Sequence, residues 1–164
     1  MIHFRFLFVC MALLMGPVSA IAQEAQVAFG SVKADPSLPV EVTSDSLNVN
    51  QEDGSAEFLG NVIVIQGEMR LSAERVLVIY SQDRSSIERM EATENVVLVS
   101  PPDAAEGDQA EYTIDTGVIV MKGNVLLTQG PSTISGDQMV ANLTSGTATM
   151  TGRVKTILQQ GGGN

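Results

Sequence analysis

The sequence predicts an all-β protein in which one antiparallel unit is repeated into a curved sheet or folded sandwich. Three observations carry that expectation. Segments rich in Val, Ile and Thr are punctuated by Gly, Asn and Asp, which disfavours helix. Apolar and polar residues alternate with period two: Phe58, Gly60, Val62 and Val64 fall on one side of a strand, and Glu57, Leu59, Asn61 and Ile63 on the other. Two short phrases also recur at fixed spacing along the chain.

The first phrase is LGNVIVIQG at 59–67, which shares the frame G-N-V-x-x-x-Q-G with KGNVLLTQG at 122–130. Aligned on Asn61 and Asn124, it returns as ENVVLV with Asn95 and as GRVKTI with Arg153, at intervals of 34, 29 and 29 residues. The second phrase, small-acidic-x-hydrophobic-x-hydrophobic, starts at Ser44, Ala73, Gly107 and Gly136 and carries Asp45, Glu74, Asp108 and Asp137. Each Asn precedes the next acidic residue by 13 positions. Each acidic residue precedes the next Asn or Arg by 16, except that 74 to 95 is 21, which places a five-residue insertion near Ser81–Ser86. Both spacings held together define a unit of about 29 residues, and such units stack because none buries a core alone.

Turn signals at Asp53-Gly54, Gln66-Gly67, Asp83–Ser86, Pro101–Gly107, Asp115–Gly117, Gln129-Gly130-Pro131 and Ser145-Gly146 divide the chain into about eight strands. Equivalent positions across the copies identify the inward face. Val62, Val96, Val125 and Val154 form one column; Val64, Leu98, Leu127 and Thr156 another; Phe58, Ala92, Met121 and Met150 a third. Behind the acidic residue come Leu47, Val76, Ala110 and Met139, then Val49, Val78, Tyr112 and Ala141. The alternate columns mix charge with apolar residues. An apolar column is ordinarily core; this one is rich in Val, Ala and Met and poor in aromatics, and Met packs adaptably against irregular ligands. The recurring acidic residues are expected at turn-to-strand starts, bonded to local backbone N–H groups, because a feature of every copy is structural rather than catalytic.

The chain opens with His3 and Arg5, an apolar run from Phe6 to Met15, and Ala20-Ile21-Ala22, the pattern of a secretory signal cleaved near Ala20 or Ala22. The run falls short of the roughly 20 residues that span a bilayer; an uncleaved anchor is the competing reading. Residues 1–22 are therefore expected to be a signal peptide, 23–38 a flexible leader, 39–158 the β domain and 159–164 a flexible tail. Removing the signal removes the only Cys and the only His and leaves eight basic side chains against 19 acidic ones, a net charge of −11. That surface repels phosphate backbones, so no nucleic acid partner is expected. Without His or Cys, most nucleophile–base pairs and zinc sites are excluded, so no catalytic residue, no metal site and no cofactor is expected, and the chain reads as a non-enzyme. An exported fold with no disulfide suits a bacterial periplasm.

The phrases P-V-E-V-T-S-D-S-L-N-V at 39–49, A-E-F-L-G-N-V-I-V-I-Q-G at 56–67 and L-S-A-E-R-V-L-V-I-Y at 71–80 together resemble the OstA-like domain family of the lipopolysaccharide transport protein LptA, over residues 38–158. The resemblance implies a twisted, V-shaped open β-jellyroll with an apolar groove. It implies a periplasmic bridge between an LptC-like inner-membrane protein and an LptD-like outer-membrane translocon, with protomers joined head to tail by strand pairing and lipid A acyl chains of lipopolysaccharide inside. On that reading Phe58, Val62, Val64, Leu71, Val76, Val78, Val96, Leu98, Tyr112, Met121, Val125, Leu127 and Met139 line the groove. Val42, Leu47, Val49, Met150, Val154 and Ile157 mark the assembly edges, Val40–Val49 forming one and Thr147–Leu158 the other. The alternative is an adaptor module that assembles envelope proteins through its strand edges and carries no lipid.

Overall fold

The computed structural model describes residues 25–30, 35 and 37–159, and every regular element among them is a strand. The expected signal peptide, parts of the expected leader and residues 160–164 of the expected tail lie outside the described residues. Eleven strands form one open antiparallel sheet: β1 (Ala25–Ala28), β2 (Glu41–Thr43), β3 (Ser46–Val49), β4 (Ala56–Gln66), β5 (Met69–Tyr80), β6 (Ile87–Ser100), β7 (Asp103–Thr113), β8 (Val118–Gln129), β9 (Ser132–Asn142), β10 (Thr147–Thr151) and β11 (Lys155–Ile157). The order is β1-β10-β9-β8-β7-β6-β5-β4-β2, with β3 also on β4 and β11 also on β9.

The count of eleven reconciles with about eight passes. β2 and β3 are two halves of one edge strand, and so are β10 and β11, while β4 to β9 each run the full width. The extra element is β1, which forms inside the expected leader and pairs with β10 at the opposite end of the sheet. The turn expected over Pro101–Gly107 is shorter than the sequence suggests, because β7 already starts at Asp103. The insertion at Ser81–Ser86 is the loop joining β5 to β6.

The repeated Gly-Asn is a bulge. Gly60-Asn61, Glu94-Asn95, Gly123-Asn124 and Gly152-Arg153 each place two successive residues at positive φ, between 47° and 80°. Register slips there on β4, β6 and β8. A bulge of this kind bends the strand and raises its twist, and four in line fold the sheet into two facing halves. The acidic residues sit beside these bulges, within strands for Glu74, Asp108 and Asp137, and not at turn-to-strand starts as the sequence suggested. Asn61 Nδ2 donates to Asp45 Oδ2 at 2.8 Å and Asn124 Nδ2 to Asp108 Oδ2 at 3.0 Å, while Arg153 Nη2 reaches Asp137 Oδ1 at 2.6 Å. The spacing of 16 is thus a cross-strand bond. In the second copy Glu94 stands where the others have Gly and Glu74 where they have Asp. The two changes go together, because a Cβ added at Gly123 would lie 2.3 Å from Asp108 Oδ2, so a residue with a Cβ excludes the short carboxylate packed over it.

Within each half the inward columns become straight rows across the sheet. One runs Leu47, Phe58, Val76, Ala92, Ala110, Met121, Met139, Met150; the next runs Val49, Ala56, Val78, Met90, Tyr112, Ile119, Ala141, Ala148 and ends on Val27 of β1. In the facing half Val42, Val64, Leu71, Leu98, Ala105, Leu127, Ile134 and Thr156 align. The halves close on one another: from β4 to β10 these rows are buried but for Phe58, and Tyr112 in one half donates its hydroxyl to Gln66 Oε1 at the end of β4 in the other.

Two expected outcomes follow. Gly123→Ala strains a left-handed position and collides with Asp108. Gly130→Ala strains a similar φ of 54° with nothing within 4 Å. The first substitution should cost more by about 1–3 kcal/mol, the overpacking increment, in urea unfolding. Burial pushes the Tyr112 hydroxyl from its ordinary 10 up to about 12. The folded state therefore keeps a proton that the unfolded chain loses, so stability holds below pH 10 and falls as pH rises toward 12, by at most about 1.4 kcal/mol per pH unit. Tyr112→Phe should flatten that fall while costing about 0.5–1.5 kcal/mol at neutral pH for the lost hydrogen bond.

Candidate lipid groove and strand edges

The groove candidates converge. Val62, Val64, Leu71, Val76, Val78, Val96, Leu98, Tyr112, Met121, Val125, Leu127 and Met139 are all buried in the space between the two half-sheets, and Phe58 is partly buried against them. The bends bring them together: Val62, Val96 and Val125 directly follow the left-handed pairs, at the fold of the sheet. Five methionines, Met69, Met90, Met121, Met139 and Met150, belong to the same cluster. The two half-sheets fill this space with each other's side chains, so the apolar interior is continuous and filled from β4 to β10.

The edge candidates separate. Leu47 and Val49 on β3 are 51% and 64% exposed, and Val42 on β2 is half-buried. Beside them a hollow of about 340 Å³ is lined by Leu47, Val49, Asn50, Gln51, Gly54, Ala56, Phe58, Tyr80 and Arg84. It is the cut end of the apolar interior, rimmed by the Arg84 side chain from the insertion, whose Nη2 donates to the Gln51 carbonyl at 3.0 Å. At the other end Ile157 is 49% exposed and Val154 half-buried. Met150 differs from its expected place: it is 1% exposed, and its strand is covered by β1, so β10 is not a free edge.

The sequence reading passed over a polar rail along the open side. Five positions after each aligned Asn stand Gln66, Ser100 and Gln129, at the ends of β4, β6 and β8. Gln66 Nε2 donates to the Leu38 carbonyl at 2.9 Å. Gln129 Nε2 donates to the Ala28 carbonyl at 2.7 Å and to Asp103 Oδ2 at 3.0 Å, and the same Asp103 oxygen accepts the Gly30 N–H at 2.8 Å. A Cβ on Gly30 would lie 2.3 Å from Ser100 Oγ, so the N-terminal segment approaches Ser100 closely. Phe29 is buried in the interior beside this rail. The signal was present in the recurring Q of G-N-V-x-x-x-Q-G; its partners lay in a segment with no pattern of its own.

Nothing among the described residues gathers three or more His, Cys, Asp or Glu into a metal-binding group. The chemistry available at the site is burial of apolar matter and pairing of strand edges.

Comparison with known proteins agrees with this geometry. The crystal structure of LptH, the LptA homologous periplasmic component of the conserved lipopolysaccharide transport device from Pseudomonas aeruginosa, superposes with a TM-score of 0.70 over 77% of this chain and 99% of that one, at 18% identity. It shares the open jellyroll fold. An uncharacterised protein of Rhizobium meliloti (strain 1021) is 28% identical over 112 residues, 64% of this chain and 60% of that protein's length. The family model described as LptA/(LptD N-terminal domain) LPS transport protein matches residues 41–147. The chain belongs to that family, the LptA/(LptD N-terminal domain) lipopolysaccharide transport proteins.

Proposed function

We propose that the protein is an exported periplasmic carrier whose interior shields the acyl chains of lipid A while the lipopolysaccharide head group stays in solvent. In this reading it is one segment of a bridge between an LptC-like inner-membrane protein and an LptD-like outer-membrane translocon, with copies joined head to tail. The observation that carries it is the uninterrupted apolar interior, repeated row by row from one edge of the sheet to the other, in a chain of a lipopolysaccharide transport family. Acyl chains enter by parting the two half-sheets. The apolar contact each half loses is replaced by contact with hydrocarbon, each buried CH₂ contributing roughly 0.8 kcal/mol, and the methionines adapt to the new surface. A net charge of −11 on the exported chain gives no grip on lipid phosphates, which suits a conduit that must release its cargo. The role is carriage, without catalysis.

The close filling of the interior favours a second reading, an adaptor that pairs strands with envelope partners and carries no lipid. A photo-crosslinker placed at Val62, Val78 or Met121 and irradiated in cells should capture lipopolysaccharide, and one at the outward Glu57 should not. Equal labelling at all four positions defeats the groove. No labelling at any, in a chain that still joins its partners, leaves the adaptor.

A further inference from the structure

We infer that β1 is a placeholder for a strand of a second copy, and that end-to-end assembly proceeds by strand displacement, β3 of the incoming chain replacing β1 on β10. The inference rests on the head-to-tail reading above and adds how that joint is guarded. Three rows of the half-sheet bearing β3, those of Leu47, Asn48 and Val49, start on β3 and end on β1. The row that begins at Val49 ends at Val27, and the row that begins at Asn48 passes through Glu57, Leu77, Glu91, Glu111, Val120, Val140 and Thr149 to end at Gln26. Continuing the rows into a neighbouring copy puts its Val49 where Val27 lies and its Asn48 where Gln26 lies. Valine answers valine, and one amide answers another.

The backbone agrees. Phe29 N–H donates to the Gly146 carbonyl at 3.0 Å, so by the alternation of an antiparallel ladder Val27 turns its N–H and C=O toward β10. Asn50 N–H donates to the Ser55 carbonyl at 2.9 Å, so Asn48 faces β4 while Val49 and Leu47 turn theirs outward, where no strand among the described residues pairs with them. The outward groups of β3 have the phase that β1 satisfies on β10. The sense of the strand matches too: eight passes alternate, so the first pass of the next copy runs antiparallel to β10, as β1 does.

The cap covers only half of that end. β1 pairs β10 alone, and among the described residues β11 has no strand on its outer side. Continued rows bring Val42 of the incoming β2 opposite Thr156 of β11. β2 docking on β11 is then the toehold, and β3, continuous with β2, follows by displacing a four-residue strand. Both expected cleavage points leave residues 25–28 in the exported chain, so the cap is present wherever the protein works.

The test uses the exported chain with introduced cysteines. Gln26→Cys with Thr149→Cys, facing partners at a closely spaced pair, lock β1 by a disulfide. The oxidised form should self-associate at least tenfold more weakly by sedimentation than the same chain reduced. Val27→Pro removes a ladder donor from β1 and should strengthen association roughly tenfold, about 1.4 kcal/mol. Mixing a chain bearing Asn48→Cys with one bearing Thr149→Cys should give an intermolecular disulfide, and Asn48→Cys mixed with Lys122→Cys should not. Equal association of locked and unlocked forms, or no Asn48–Thr149 cross-link in chains that associate, overturns the displacement and leaves head-to-tail joining intact. No association in any form, Val27→Pro included, overturns the head-to-tail reading itself.

Discussion

Everything else in this molecule depends on the strand bend made by two successive left-handed residues beside a carboxylate. A flat eight-pass sheet would have one apolar face with nothing to cover it. The bend repeats at the same place in every second pass, so it creases the sheet along a line and folds its apolar face onto itself. Left-handed backbone costs an ordinary residue about 1–2 kcal/mol, so glycine takes the first position in three of four copies. The neighbouring Asp fills the space the missing Cβ leaves and binds the Asn or Arg that follows. The second copy keeps the bend with Glu94 in the left-handed region and gives up the short carboxylate bond. The crease therefore tolerates the loss of its bond better than the loss of its backbone shape.

The crease also decides which alternation the core obeys. On β4 the inward residues flanking the bend, Phe58 and Val62, are four apart; on β5 the matching pair, Ala73 and Val76, are three apart. A strict period-two reading keeps the face on β4, where the spacing is even, and loses it on β5, where it is odd; comparison across copies loses neither, because every copy slips at the same place. This is why the inward face was legible without the fold: twelve of the thirteen residues proposed for the groove lie fully inside, and the remaining one, Phe58, stands next to the open edge. The acidic residues were legible as structural but misplaced, since a spacing of 16 gives no sign of whether the partner is the adjacent turn or the adjacent strand.

What the repeat could not reveal is whatever is not repeated. β1, Phe29 and Gly30 belong to a segment with no internal pattern, four residues of modest β propensity among polar and small ones. Their order comes from partners far away in the chain, Asp103 at a separation of 73 and Gln129 at 101. A local reading assigns such a stretch to a leader, and it assigns Met150 to a free edge for the same reason: the strand that covers it lies more than a hundred residues earlier. The recurring glutamine was visible, but its meaning lay in that same unpatterned segment.

A stack of like units has no natural last member, and each end must be handled by something outside the repeat. Here the two ends are handled differently. At the β2–β3 end the apolar interior is left cut, with Leu47 and Val49 in solvent beside a hollow of about 340 Å³. At the other end β1 covers one half-sheet and, among the described residues, nothing covers the other. Exposed edges invite pairing with any available strand, which is the ordinary hazard of an open sheet. A short intramolecular strand reduces that hazard at little cost to a specific partner. In the displacement proposed above the incoming edge wins the slot because β2 pairs β11 as β3 takes the place of β1, while an arbitrary peptide must displace a cap held at an effective concentration set by its own chain. Phe29, buried one residue beyond β1, adds apolar contact that holds that cap. In the displacement proposed above, the balance between its burial and the exposure of Leu47 and Val49 decides whether the assembly ends or continues.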